Sequence, residues 1–169
     1  GGINMEVISA NIKDIYYPYI KVSQQKDYCM ICRKWVNDGV NHKCPIKHRA
    51  LIDDNMAGIV DRLYNLGIVP MMAMFNLDST GEASETYNVS IFIDIREHLR
   101  CEVLGDLPAG WLYCWKEGVI HGLEYTDCRA NLDAESAEEQ VNAVVKEFEV
   151  FLDNKDSAAT KALTLLTSY

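Results

Sequence analysis

The residues best able to do chemistry fall in one short stretch. Cys29-Met30-Ile31-Cys32 is followed, eleven residues later, by Cys44-Pro45-Ile46-Lys47-His48, a C-x2-C-x11-C-x3-H pattern. A C-x2-C turn aims two thiolates at one ion, and a second pair about a dozen residues on completes four positions. Soft thiolates with one imidazole select zinc. The expected ligands are Cys29, Cys32, Cys44 and His48, since three intervening residues close on a helical turn; His42 is the alternate fourth ligand. Four protein ligands leave no position for water, so the expected Zn2+ is structural rather than catalytic. The spacing approaches that of a groove-reading finger. Asn41 stands where an apolar residue is needed, however, and Pro45 follows the third ligand, so a zinc ribbon or knuckle fits better.

Other constellations are weaker. Cys114, His121 and Cys128 recur at intervals of seven, and Cys114 and His121 can face each other across a hairpin as a second metal site or a thiol centre. Buried thiols and a hairpin histidine are the simpler reading. Asp94, Arg96, Glu97 and His98 crowd a strand end that reads as solvated, although sheet ends also host catalytic groups. Trp111, Tyr113 and Trp115 alternate on one strand and read as a core-facing row beneath the last long helix, with a base-stacking platform as the alternative. Met56, Met71, Met72 and Met74 read as core filling. Glu135, Glu138, Glu139, Glu147 and Glu149 read as a solvated helix face. The chain has no Gly-rich phosphate loop, G-x-S-x-G, H-E-x-x-H or calcium loop.

The elements that must position these groups follow from periodicity. Residues 3–22 read as a short strand or helix and an extended lead-in, broken at Pro18. Residues 53–66 read as an amphipathic helix with Met56, Ile59, Val60, Leu63 and Leu66 on its apolar face, capped by Asp53 or Asp54 and ended by Gly67. Residues 68–75 and 87–95 read as a β-hairpin, the second strand turning Tyr87, Val89, Ile91, Ile93 and Ile95 to one side. Residues 111–115 and 119–125 read as a second hairpin. Residues 134–153 form the clearest helix, with Ser136 and Glu139 at capping-box spacing and Val141, Val144, Val145, Phe148, Phe151 and Leu152 facing inward. Residues 157–168 read as a short helix or a frayed tail. The expected fold is α+β: an antiparallel sheet of two hairpins packed by two or three helices, with a small N-terminal zinc module. The expected divisions are a lead-in at 1–22, the zinc module at 23–50, the α+β body at 51–154 and a tail at 155–169.

With 169 residues, 49% of them apolar, and a net charge of −9, the chain can build a core and is not globally disordered. It has no apolar run of membrane-spanning length, no visible signal peptide and no internal repeat. Six cysteines without a secretory signal point to a reducing, cytoplasmic setting. The zinc stretch is basic within an acidic chain: Lys26, Arg33, Lys34, Lys43, Lys47 and Arg49 stand against only Asp27 and Asp38. An acidic body disfavours broad adhesion to nucleic acid or anionic membranes but leaves one focused anionic contact open.

Several motifs also occur in one order: CMIC…CPIKH, then Ile59-Val60-Asp61-Arg62-Leu63-Tyr64-Asn65-Leu66-Gly67-Ile68, then Ser90-Ile91-Phe92-Ile93, then Leu107-Pro108-Ala109-Gly110-Trp111 and an acidic helix. Over about residues 28–152 this resembles a group of small uncharacterised proteins of bacteria and their phages. Those join a Cys-rich ribbon to an I-x2-LN-x-x-G helix, a strand pair and an LP-x-GW turn. The group places a Ser-Cys-x-Gly-His stretch after the helix, where this chain has Pro70–Asn76 without Cys or His. The resemblance therefore implies fold and mobile-element context and no mechanism. The expected function is a non-catalytic zinc-binding protein acting through protein contacts. The alternatives are nucleic-acid binding through Lys26, Arg33, Lys34, Lys43, Lys47 and Arg49, and an enzyme using Cys114/His121 or the Asp94–His98 strand end.

Overall fold

Alternating burial in the strands and a 3.6-residue period in the long helices produce one sheet with helices packed on it. The computed structural model describes residues 24–79, 86–127 and 132–167. The expected lead-in at 1–22 and Cys128 lie outside them. In chain order the elements are β1 (Lys26–Cys29), β2 (Lys34–Trp35), a 3-10 turn (Ile46–His48), β3 (Arg49–Ile52), a second 3-10 turn (Asp54–Met56) and α1 (Ala57–Asn65). There follow β4 (Pro70–Ser79), β5 (Tyr87–Leu99), α2 (Cys101–Leu104), β6 (Trp111–Lys116), β7 (Val119–Thr126), α3 (Ala134–Asp153) and α4 (Ser157–Thr167).

All seven strands join one sheet in the order β2-β1-β3-β4-β5-β7-β6. This corrects one expectation. The sheet is mixed, because β3 and β4 run parallel, with Leu51 opposite Met72 and Ile52 opposite Ala73. A parallel pair needs a crossover, and α1 supplies it. The cysteine-bearing strands are also part of this sheet, since β1 pairs antiparallel with β3 along its whole length. β3 itself runs through the expected division at residue 50.

The core lies on one sheet face. Ala73, Phe75 and Leu77 of β4 and Val89, Ile91, Ile93 and Ile95 of β5 are buried, as the alternation of β5 predicted. The helices α1 and α3 pack on each other and on this face. They meet closely at Gly58, where a Cβ would run into the Glu149 carboxylate. Arg62 of α1 reaches Asp153 at 2.9 Å and Glu149 at 3.7 Å.

The helix α3 has the bounds the periodicity predicted, but its cap lies earlier than Ser136. The Asp133 carboxylate accepts the Ser136 N–H at 2.8 Å. Asp53 does not cap α1. It is buried, and its Oδ2 accepts the Phe75 N–H at 3.0 Å, tying the start of that helix to β4. Gly67 ends α1 with φ +85°, left-handed backbone that suits glycine. Residues 157–167 are helical, and Thr164 Oγ1 donates to the Leu66 carbonyl at 3.2 Å, so α4 covers the end of α1.

Candidate metal centre

The centre is built at one end of the sheet. β1 delivers Cys29 with its side chain fully buried. The chain then turns back: the Arg33 N–H donates to the Cys29 carbonyl at 2.8 Å, and Arg33 takes φ +57°. That tight turn brings Cys32 beside Cys29. The loop after β2 returns His42 and Cys44 to the same place. One donor atom from each of Cys29, Cys32, His42 and Cys44 lies within 4.8 Å of all the others. Cys32 Sγ and His42 Nε2 are 3.8 Å apart. A tetrahedral ion with Zn–S bonds of about 2.3 Å spaces its sulfurs about 3.8 Å from one another, so the donor set matches zinc in type and in scale.

His48 does not join these thiols. Its Nδ1 shares a hydrogen bond of 3.0 Å with the Tyr64 hydroxyl, and its ring stands edge-on to that tyrosine. The helical closure behind the preference for His48 does not form. Pro45 is extended (φ −58°, ψ 142°), and only a single 3-10 turn follows before β3 begins. The geometry gathers the alternate, His42. The remaining link to His48 is through the backbone, whose carbonyl accepts the Met30 N–H at 2.9 Å.

The thiols differ in acidity. Burial opposes ionisation of Cys29. The Cys32 N–H, the His42 imidazole, the Cys32 side chain and the Ile31 N–H outweigh burial and bring that thiol down to about 6. Cys44 moves the other way, raised by its hydrogen bond with Cys29, by burial and by the negative charges of Cys29 and Cys32. Such a cluster resists holding several negative charges until a cation shares them.

The six cations of this stretch separate into two groups. Arg33, Lys34, Lys43 and Lys47 are exposed, and among the described residues none forms an ion pair. Lys26 pairs with Asp54 at 3.4 Å, and Arg49 turns inward to the carbonyls of Gly39 and His42. Sequence reasoning missed the inward role of Arg49, as it missed Asp38, whose carboxylate organises the His42 loop. The Asp38-Gly39 pair is a turn signal that marks the place.

Among the described residues, which exclude Cys128, the weaker constellations do not assemble. Cys114 stands opposite Gly122 rather than His121, and its sulfur lies 3.9 Å from Glu124 Oε2. Burial, then the charges of Glu124 and Asp94, raise its thiol, which disfavours the thiolate. Arg96, Glu97 and His98 are exposed within β5, where the register against β7 shifts between Asp94 and Leu99. The aromatic row is broken. Trp111 is buried and stacks on Phe148 at 4.0 Å, Tyr113 is half-buried, and Trp115 is 59% exposed. A register shift between Cys114 and Trp115 accounts for the break. Met56 fills the core, whereas Met71 is exposed, and Met72 and Met74 stand on the face opposite Ala73 and Phe75. Glu149 is half-buried against Arg62, while Glu135, Glu138, Glu139 and Glu147 are exposed as expected.

Cys29, Cys32, Cys44, Cys101 and Cys114 are all free thiols. No helix among the described residues is long and apolar enough to cross a membrane. No family model, no curated protein and no solved structure matches the chain.

Proposed function

We propose that this is a non-catalytic zinc-binding protein in which Cys29, Cys32, His42 and Cys44 hold one structural Zn2+. The carrying observation is the convergence of these four donor atoms within 4.8 Å. A bound ion would cross-link β1, the turn after it and the His42 loop, and would leave no coordination position for a substrate. Elemental analysis with native mass, on protein purified without added metal, tests this. One zinc per chain is expected, lost in His42→Ala and kept in His48→Ala. Protein without metal, or zinc lost in His48→Ala and kept in His42→Ala, overturns it.

The module acts through contacts. Ile31, Val40 and Ile46 are 47%, 94% and 73% exposed, apolar surface on a segment that the ion rather than a core would hold in shape. A partner protein should therefore be lost on Ile31→Ser or Ile46→Ser and retained on Leu112→Ser at the far edge of the sheet. Equal loss in all three overturns the assignment to this surface. The resemblance to small bacterial and phage proteins adds context to this reading and no chemistry.

A second reading rests on Arg33, Lys34, Lys43 and Lys47. These exposed cations flank the ligands in sequence and suit a phosphate backbone. Binding to DNA or RNA should then weaken steeply with salt and fall when Arg33 and Lys43 become Ala. Absent or salt-insensitive binding removes this reading.

A further inference from the structure

The histidine of the cluster sits on the least regular part of the module. Ten residues separate β2 from the 3-10 turn at Ile46, and after the first of them, Val36, whose N–H donates to the Asp27 carbonyl of β1 at 2.9 Å, none pairs in the sheet. A free loop of that length would leave the imidazole far from the thiols most of the time. Two side chains prevent this. Asp38 closes the loop from within. Its Oδ1 accepts the N–H groups of Val40 at 3.1 Å and Asn41 at 3.2 Å, its Oδ2 accepts Asn41 Nδ2 at 2.6 Å, and its carbonyl accepts the His42 N–H at 3.2 Å. Those donors, the Asn41 side chain first, hold the Asp38 carboxyl below its ordinary range.

Arg49 ties the closed loop to the sheet. It lies on β3 directly opposite Cys29 of β1. From there its Nη2 donates to the carbonyls of Gly39 at 3.1 Å and His42 at 3.2 Å. Gly39 gives the guanidinium room, because a Cβ there would stand 3.3 Å from Arg49 Nη1. One planar side chain thus ties β3, the strand paired with that of the buried thiol, to the loop bearing the imidazole. Both bonds leave one nitrogen held in the guanidinium plane, whereas a lysine ammonium is a strongly hydrated point charge on a flexible stem and lacks that fixed aim.

We propose that Arg49 and Asp38 are positioning residues of the metal centre, holding His42 at the thiols before any ion binds. This rests on the zinc reading above, and it removes Arg49 from the phosphate-contacting set. The outer partners of a metal ligand set its orientation and so its affinity for the ion.

The test measures zinc affinity of the full chain by competition with a chromophoric chelator, with Co2+ spectra to count thiolate ligands. Arg49→Met and Asp38→Ala should each weaken zinc on the order of 10- to 100-fold and speed its release, with the same ligands in the cobalt spectrum. Arg49→Lys keeps the charge and most of the packing, and should still show the loss. It carries the test if Arg49→Met fails to fold. Lys43→Ala, an exposed cation between two ligands, should leave affinity unchanged. Unchanged affinity in Arg49→Lys and Asp38→Ala overturns the proposal, as does a loss in Lys43→Ala equal to that in the Arg49 variants, which would make the effect one of charge. Wild-type protein that takes up no zinc sinks the metal reading itself, a result distinct from zinc bound equally by every variant.

Discussion

The two ends of the sheet are held by different means. At the β6 end, Trp111 stacks on Phe148 of α3 at 4.0 Å, Tyr125 leans on Trp111 at 5.6 Å, and Phe148 is fully buried. At the β2 end the edge strand has two residues, the loops are long, and three cysteines and a histidine converge. Apolar burial stabilises the first end with or without a metal ion. The second has a few polar ties, among them Tyr28 to Asp61 and His48 to Tyr64, and on the zinc reading proposed above it would depend on a cation as well. A small strand cluster at a sheet edge buries too little to fix its own loops, and a metal cross-link of the proposed kind would replace the missing core.

The largest effect should come from the apolar end. Phe148→Ala removes a fully buried ring that packs on Trp111 and Phe151, and should cost about 3 to 5 kcal/mol in urea unfolding. A loss no greater than that of a surface substitution would show that α3 is not what holds the β6 end.

Metal removal should come next and act on the other end. With free zinc near 100 times Kd, binding contributes about 2.7 kcal/mol. Chelation should therefore drop hydrogen-exchange protection in β1 and β3 while β5, β7 and α3 stay protected. Equal loss in α3 would mean that the two ends open together and that the contrast between them is false.

Tyr28→Phe probes one of the polar ties of the β2 end. The buried Tyr28 hydroxyl donates to Asp61 of α1 at 2.8 Å, and its removal should cost about 1 to 2 kcal/mol. Burial first, then the hydrogen bond and charge of Asp61, push ionisation of this hydroxyl well above the ordinary tyrosine range. Its folded pKa is thus raised. The contribution should be complete below the unfolded value of about 10 and be lost as pH rises beyond it. Wild type and Tyr28→Phe should accordingly converge in alkaline unfolding curves. A gap that persists there would assign the effect to packing.

The same contrast decides what the sequence makes legible. At the apolar end, α3 and the inward face of β5 follow from periodicity, because burial against a continuous surface repeats along the chain. The thiols of the metal end follow from C-x2-C spacing. Which histidine lies beside them does not, since it depends on the extended Pro45 and on the turn built by Asp38, both of them local backbone geometry rather than pattern. The parallel β3–β4 pair is hidden for a different reason. Strand β3 has only four residues, Arg-Ala-Leu-Ile, too few to show a period, and its partner is fixed by where α1 returns the chain. Trp115 escapes the alternation of its strand because the irregularity after Cys114 flips every later side chain.

The smallest effect should be at the cap of α3, and it separates the two ends by pH. Asp133 Oδ1 accepts the Ser136 N–H at 2.8 Å, and that backbone donor, followed by the Ser136 side chain, lowers the Asp133 carboxyl below its ordinary value. A depressed carboxylate contributes above the unfolded value of about 3.9 and stops contributing as pH falls through the lower folded value. Asp133→Ala should therefore lower Tm at neutral pH by less than any variant above, with the gap closing in strong acid. Asp133→Asn, which keeps a capping oxygen without the charge, should retain most of the neutral stability and none of the pH dependence. Acid also protonates thiolates and releases zinc, so chelator belongs in every sample. With the metal end silenced, a gap that closes in acid for Asp133→Ala reports the carboxylate cap of the apolar end. A gap independent of pH would mean that the helix start is held by packing instead.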